Sequence, residues 1–241
     1  MLTRILPSKI AERQIVRITG STFETPIDFD FLENRSQAIN SNIAKRAFDL
    51  AIASFAILFI FSWLFPIIAA VIKLTSKGPV FFLQERHGVG NKVFKCIKFR
   101  TMKTDSEHLD ENGKFKQASL NDERITKIGS FLRKTSLDEL PQFINVLKGE
   151  MSIVGPRPHA VLMNAEVEQH IEEYNLRHLV RPGITGLAQV NGHRGETKEI
   201  EMLQTRVDND LRYIEVWNNA LDFHIVVKTA KNMIVGEENA F

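Results

Sequence analysis

Two adjacent carboxylates, Asp138 and Glu139, lie in the run TSLDELPQFINVLKGE, and cations stand at spaced positions around them in the sequence. An aspartate can attack a phosphoryl centre and form an acyl phosphate, which divides one difficult transfer into two easier steps. Lys98, Arg100, Arg133 and Arg157 supply charge that could neutralise a diphosphate. Mg2+ held partly by Asp138 and Glu139 and partly by phosphate oxygens would offset the charge growing on the reacting group. Arg157 stands between two prolines in MSIVGPRPH, which fixes the backbone around one cation. Next, RPGITGLAQVNG adds three glycines with Gln189 and Asn191, so backbone and amide groups can approach a phosphate-bearing ligand closely. Its glycine spacing matches neither the dinucleotide nor the P-loop pattern. A glycosidase is disfavoured, because adjacent residues rarely set two carboxyls at the opposed separation that reaction needs.

These residues need elements to carry them. VFFLQER and VFKCIKFR flank Gly88-Val89-Gly90-Asn91, which predicts a β-hairpin. The period of two puts Lys98 and Arg100 on one face of the second strand and Ile97 and Phe99 on the other. From Arg86 to Lys103 there are six Lys and Arg residues and no acid, a pattern that fits an anion site, a solvated face or a lipid-headgroup contact. Residues 104–124 read as a polar surface loop. Two short amphipathic helices follow, broken near Thr135-Ser136 and closed at Gly149. Asp138 is placed to cap the second helix and Glu139 to complement its dipole, a role that would need no chemistry. Val207 to Val235 has helical periodicity carrying Tyr213, Trp217 and Phe223, suited to core packing or to the membrane interface.

One stretch is strongly biased. Leu50 to Ile72 carries no charge and, as a helix, would be about 35 Å long, enough for a hydrocarbon core of about 30 Å. Pro66 interrupts it and predicts a kink or break. Lys45 and Arg46 before it match Lys73 and Lys77 after it, so the positive-inside rule finds no asymmetry. Two topologies answer these facts: a proline-kinked transmembrane helix, and a re-entrant hairpin that turns back at Ser62 to Pro66.

The remaining composition bounds the rest. With 241 residues, 44% hydrophobic and 25% charged, most of the chain should fold. A net charge of +2 excludes a wholesale nucleic-acid-binding composition. The single cysteine, Cys96, cannot form an internal disulfide, which points to a reducing compartment for the soluble part. Residues 1–44 are mixed, with acids at Asp28, Asp30 and Glu33 and a linker-like Asn40 to Asn42.

The order KRAFD, the apolar segment with its proline, SKGPVFFLQER, KFRTM, SLDELPQ, NVLKGEMSIVGPRP and RPGITGLAQVNG resembles the bacterial sugar transferases, monotopic polyprenyl-phosphate phosphoglycosyl transferases. The resemblance covers about residues 45–235. It implies an α/β (α+β) chain with a membrane-embedded re-entrant helix at 45–77 and a compact cytoplasmic catalytic domain at 78–241. That domain would hold short helices and a small β-hairpin, and residues 1–44 would form an N-terminal extension. It also implies that Asp138 attacks the sugar-linked phosphate of a UDP-sugar and releases UMP. Undecaprenyl phosphate would then take the phosphosugar, in the first membrane step of exopolysaccharide or capsule synthesis. By the same likeness Glu139 helps hold Mg2+ or orients the pair, and Arg157 grips phosphate. RPGITGLAQVNGHRGET with Arg206, Tyr213, Trp217 and Asp222 is more similar to the hexose-1-phosphate branch, so UDP-glucose or UDP-galactose is the expected donor. Inner-membrane lipids are expected partners, nucleic acid is not, and room is left for a homodimer. Relatives often have Ser-Pro at the hairpin break, whereas this chain has Phe65-Pro66 with Ser62 earlier. A membrane-anchored scaffold and a metal-dependent lipid phosphatase or pyrophosphatase use the same residue types.

Overall fold

The computed structural model describes residues 28–106, 116, 118–119, 122–193, 195 and 199–235. Most of the expected N-terminal extension, and much of the expected polar loop at 104–124, lie outside the described residues. The architecture is helix-dominated and mixed, with a small antiparallel two-stranded sheet and one short parallel strand pair.

Helix α1 (Phe29–Ser41) opens on Asp28, whose carboxylate accepts from Phe31 N–H at 3.1 Å. Leu32, Ser36 and Ile39 form its buried stripe. Arg35 ties α1 to the C-terminal half by donating to the carbonyls of Glu215 and Trp217 at 3.1 and 2.6 Å. The expected linker at Asn40 to Asn42 is therefore the end of one helix and, through the Asn42 side chain, the cap of the next.

The apolar segment is helical throughout, from α2 (Ile43–Phe55) through a π-helical stretch (Ala56–Phe61) into α3 (Ser62–Thr75). The helix does not break at Ser62 or Pro66: Pro66 lies inside α3, and the irregularity is the π stretch just before it. Ser62 N–H reaches Ile57, five residues earlier, and Ser62 Oγ donates to the Leu58 carbonyl at 2.8 Å. The wider turn also keeps one stripe facing inward. Lys45, Asp49 and Ala53 are buried before it, Ala56 and Phe61 within it, and Ile68 and Ile72 after it. Phe61 meets Phe143, and Phe65 meets Phe99, edge to face at 5.1 and 4.9 Å. The outer face leaves Phe55, Leu58, Phe59, Trp63 and Ile67 exposed.

The hairpin forms as the sequence predicts. Strand β1 (Phe81–His87) pairs with β2 (Val93–Phe99) in a register running from Phe81↔Phe99 to His87↔Val93. Gly90 and Asn91 supply the positive φ values of its turn, 62° and 59°. Helix α4 (Lys127–Lys134) starts at a Thr126 cap. Gly129 presses so close to Thr101 that an added Cβ would lie 2.0 Å from the Thr101 carbonyl oxygen. Helix α5 (Gln142–Lys148) ends on Gly149 at φ 83°. Strand β3 (Ser152–Val154) pairs in parallel with β4 (Gly183–Thr185), separated by α6 (Val161–Val167) and a 3-10 stretch (Tyr174–Leu179). The short α7 (Leu187–Val190), then α8 (Ile200–Val216) and α9 (Asn219–Val235), close the core around Val207, Leu211, Tyr213, Ile214 and Ile225.

Candidate active site

The carboxylate pair is held by a local conflict in the backbone. Helix α4 ends at Lys134, Ser136 takes the left-handed conformation at φ 57°, and Leu137–Glu139 form a 3-10 turn before α5 begins. Neither carboxylate caps α5, whose N-cap is Pro141 without a side-chain bond. The capping role open to Asp138 from sequence is thus not taken. Both side chains are buried instead at the edge of a cavity of about 370 Å³.

The two neighbours differ in what they touch. Glu139 is engaged by Lys98 Nζ at 2.7 Å and, bidentately, by Arg157 at 2.6 and 3.0 Å. Asp138 accepts no hydrogen bond from any described residue. Burial pushes its carboxyl above the ordinary aspartate value and Glu139 adds to the rise, while Lys98, Arg133 and Arg157 act against it. Burial works against the Arg157 cation as well, yet Glu139 and Asp138 hold its pKa above the usual guanidinium value. A carboxylate in this state, unpaired yet faced by three cations, is suited to nucleophilic attack on phosphorus.

The structure brings Lys98, Arg100, Arg133, Arg157, Asp138 and Glu139 to one cavity. Arg133 is steadied there by donating from Nε to Thr101 Oγ1 at 2.9 Å. Arg100 is used differently from Lys98: its guanidinium holds the exit of α3, donating to the carbonyls of Lys77 and Ser76 at 2.7 and 3.0 Å. Gln189 and Asn191 do not line the cavity. Gln189 Nε2 bonds the Ile184 carbonyl at 2.8 Å, and exposed Asn191 meets Asn209 and Lys228. The glycines of RPGITG serve close approach of backbone to backbone: a Cβ on Gly183 would lie 2.1 Å from Gly155 N, and one on Gly186 2.2 Å from Gly155 O. The run builds the shelf behind Pro156-Arg157-Pro158.

That shelf has a second support. Arg177, buried and donating from Nε and Nη2 to Asp210 Oδ2 at 3.0 and 2.5 Å, also donates to the Arg157 carbonyl at 2.7 Å. Arg86 donates to the Pro158 carbonyl. His159 follows, with Nδ1 at 2.6 Å from Tyr174 Oη and 2.9 Å from Arg177. Burial and the surrounding guanidiniums hold its pKa well below the ordinary histidine value, so the ring is neutral. Arg206 also faces the cavity, pulled down to about 10 by burial and by Arg157 and Arg177. From sequence, Arg86 stands out only as the start of a basic run and Arg206 only through the hexose-1-phosphate resemblance, and His159 is missed as a cavity residue. His159 directly follows Pro-Arg-Pro, the one local signal that could have marked it.

Tyr213, Trp217 and Asp222 lie elsewhere. Asp222 accepts from Lys45 Nζ at 2.7 Å, Tyr213 Oη at 2.8 Å and Trp217 Nε1 at 3.1 Å, which locks the start of α2 to α8 and α9. Asp49 accepts from Ser152 Oγ and Ile153 N–H, both at 2.9 Å, and clamps β3.

A family model described as bacterial sugar transferase matches residues 40–236, and the chain belongs to that family. It is 51% identical over 189 residues to the UDP-glucose:undecaprenyl-phosphate glucose-1-phosphate transferase of Escherichia coli (strain K12), covering 78% of this chain and 40% of that protein. The protein of the same description from Klebsiella pneumoniae is 45% identical over 90% of this chain and 49% of its own length. A UDP-N-acetylgalactosamine-undecaprenyl-phosphate N-acetylgalactosaminephosphotransferase of Aeromonas hydrophila is 42% identical over 80% of this chain and 44% of its own length. The chain thus spans less than half the length of each of these three relatives.

Proposed function

We propose that this chain transfers hexose-1-phosphate from a UDP-sugar to undecaprenyl phosphate and releases UMP, as the first membrane step of exopolysaccharide or capsule synthesis. The observation that carries the reading is the unpaired Asp138 carboxylate beside Glu139, which Lys98 and Arg157 hold in place. In the first step an Asp138 oxygen attacks the sugar-linked phosphorus, the bond from that phosphorus to the bridging oxygen breaks, and UMP departs with the bridging oxygen. In the second, an oxygen of the lipid phosphate attacks the same phosphorus, the aspartyl–phosphorus bond breaks, and the free carboxylate returns. Lys98, Arg133 and Arg157 line the cavity where charge develops.

Among the described residues no cluster of three or more His, Cys, Asp or Glu side chains could hold a metal by itself. A single carboxylate with substrate phosphates is nevertheless an ordinary Mg2+ environment. Asp138 is the open carboxylate, and both Glu139 oxygens are already engaged by Lys98 or Arg157, so the donor set fits Mg2+ held mainly by substrate. When bound, that ion would neutralise charge on the diphosphate.

Two further assignments belong to the same reading. The segment at 45–77 lies in the cytoplasmic leaflet of the inner membrane as a re-entrant element, with the catalytic domain on the cytoplasmic face. Its support is the single inward stripe from Lys45 to Ile72, which packs on one globular body on both sides of Ser62 and Pro66 while the opposite face stays apolar. UDP-glucose is the favoured donor, supported by the descriptions of the Escherichia and Klebsiella relatives.

The test is UMP release by nanodisc-embedded protein with Mg2+ and a panel of UDP-sugars, each with and without undecaprenyl phosphate. Lipid-dependent release with UDP-glucose, abolished in Asp138→Asn, is expected. Release of inorganic phosphate without a lipid acceptor would replace the transferase with a hydrolase. Equal turnover of UDP-N-acetylglucosamine would overturn the donor assignment.

A further inference from the structure

The cavity has two ends with different neighbours. One end, at Pro79, Phe81 and Arg100, adjoins the exit of α3, since Arg100 grips the carbonyls of Ser76 and Lys77. The other, at His159, Met163, Gly195 and Arg206, draws on α6, α8 and Gly195. Arg157 stands between them: it holds Glu139 on one side, and its charge acts on Arg206 on the other.

At this second end the donors outnumber the acceptors. Arg206 is only 5% exposed, and no carboxylate among the described residues pairs with it. Its Nη2 donates to the Gly195 carbonyl at 2.8 Å, but its Nε is buried without a partner. His159 Nδ1 meets Tyr174 Oη at 2.6 Å and Arg177 Nη1 at 2.9 Å, and Tyr174 Oη itself donates to Asn164 Oδ1. His159 Nε2 lies 3.4 Å from Arg206 Nη1, a long contact for a buried guanidinium. Arg86 is under-partnered at one atom: Nη1 donates to the Pro158 carbonyl and Nη2 to Gln84 Oε1 at 2.9 Å, while its buried Nε has no partner. Buried donors left in this state are costly unless a ligand completes them. The acceptor they lack is an anionic oxygen shared among several donors.

We infer that Arg206 and Arg86, beside His159, form a second phosphoryl subsite, which holds the nucleotide-side phosphate of the donor while Asp138 attacks the sugar-side phosphate. The assignment rests on the transferase reading for its ligand. The nucleotide phosphate is chosen over the lipid phosphate by position: a membrane-anchored acceptor arrives at the Arg100 end, beside α3, and leaves the Arg206 end to the water-soluble donor. Departing UMP then carries away a charge that was matched before the bond broke, which steadies the leaving group.

The experiment compares wild type, Arg206→Gln and Arg206→Lys in nanodiscs, with thermal melting to confirm folding. For turnover, KM is measured separately for UDP-glucose and undecaprenyl phosphate. UMP binding is measured by calorimetry without either substrate. The expected result is that Arg206→Gln weakens UMP binding and raises the UDP-glucose KM, each by about tenfold or more. Arg206→Lys should restore part of both, and the KM for undecaprenyl phosphate should stay within about twofold of wild type. A selective rise in the lipid KM would overturn the assignment in favour of an acceptor site, and unchanged values throughout would remove the subsite. The UMP arm needs no turnover. If wild type bound UMP through Arg206 but transferred nothing, the subsite would stand and the transferase reading would fall.

Discussion

Two lysine–carboxylate pairs of equal length, 2.7 Å, occupy opposite roles in this chain. Lys45–Asp222 is sealed, at 7% and 2% side-chain exposure, and Tyr213 and Trp217 fill the remaining capacity of the aspartate. Lys98–Glu139 is nearly as buried, at 15% and 9%, but beside it sits Asp138, which accepts nothing, and beyond it a cavity with under-partnered guanidiniums. The first pair is a strut between the apolar helix and the core. The second holds Glu139 beside the open Asp138 carboxylate at the cavity. An ion pair of given length therefore says little by itself; the unsatisfied groups next to it mark where a ligand belongs.

The largest effect should separate the two regions by activity. Asp138→Asn is expected to lower UMP release by at least about 10³-fold. Its melting temperature should hold or rise, because an unpaired buried carboxylate is removed. A loss of stability instead would make Asp138 another strut. Glu139→Gln should cost about 10²-fold in kcat, since it frees Lys98 and Arg157 from a common partner. Steady-state kinetics showing only a KM change would count against that role.

Asp222→Asn inverts the pattern. It should destabilise by about 3 kcal/mol in denaturant unfolding, by leaving Lys45 buried without its counter-ion, while UMP release by the folded fraction stays within a few-fold. Selective loss of turnover at unchanged stability would erase the distinction between strut and site.

The smallest effect is on pH dependence. Asp138 must be ionised to attack, and its burial raises its pKa, so activity should fall on acidification at a pH above the ordinary aspartate range. Lys98 acts to lower that pKa. Lys98→Met should therefore move the acid limb of the rate profile upward, and a downward shift would contradict the assignment.

Much of this was legible in the sequence because it depends on local order. The hairpin follows from two β-prone runs around Gly-Val-Gly-Asn, and the helices on either side of Ser136 from their periodicity. Asp138, Glu139, Lys98, Arg133 and Arg157 meet as expected. What stayed hidden depends on contacts distant in sequence. Gly183 and Gly186 serve a backbone crossing at Gly155, and no local pattern tells that from ligand approach. Asp222, Tyr213 and Trp217, grouped by resemblance with the donor-reading residues, turn out to hold Lys45. Arg206 lies on α8, far along the chain from the carboxylate pair, and spacing alone could not bring it to the cavity. Pro66 predicts a kink or break, yet it lies inside α3, and the irregular turn is the π stretch before Ser62.

The central claim is that Asp138 is left unpaired in order to bond phosphorus. Its most direct test is to incubate wild type and Asp138→Asn with UDP-glucose and Mg2+, without undecaprenyl phosphate, and to map modified peptides by mass spectrometry after a rapid quench. The account predicts a hexose-phosphate on Asp138 of the wild type, matched by UMP and absent from Asp138→Asn. An adduct on another residue, or turnover with lipid from a protein that never carries one, would contradict it.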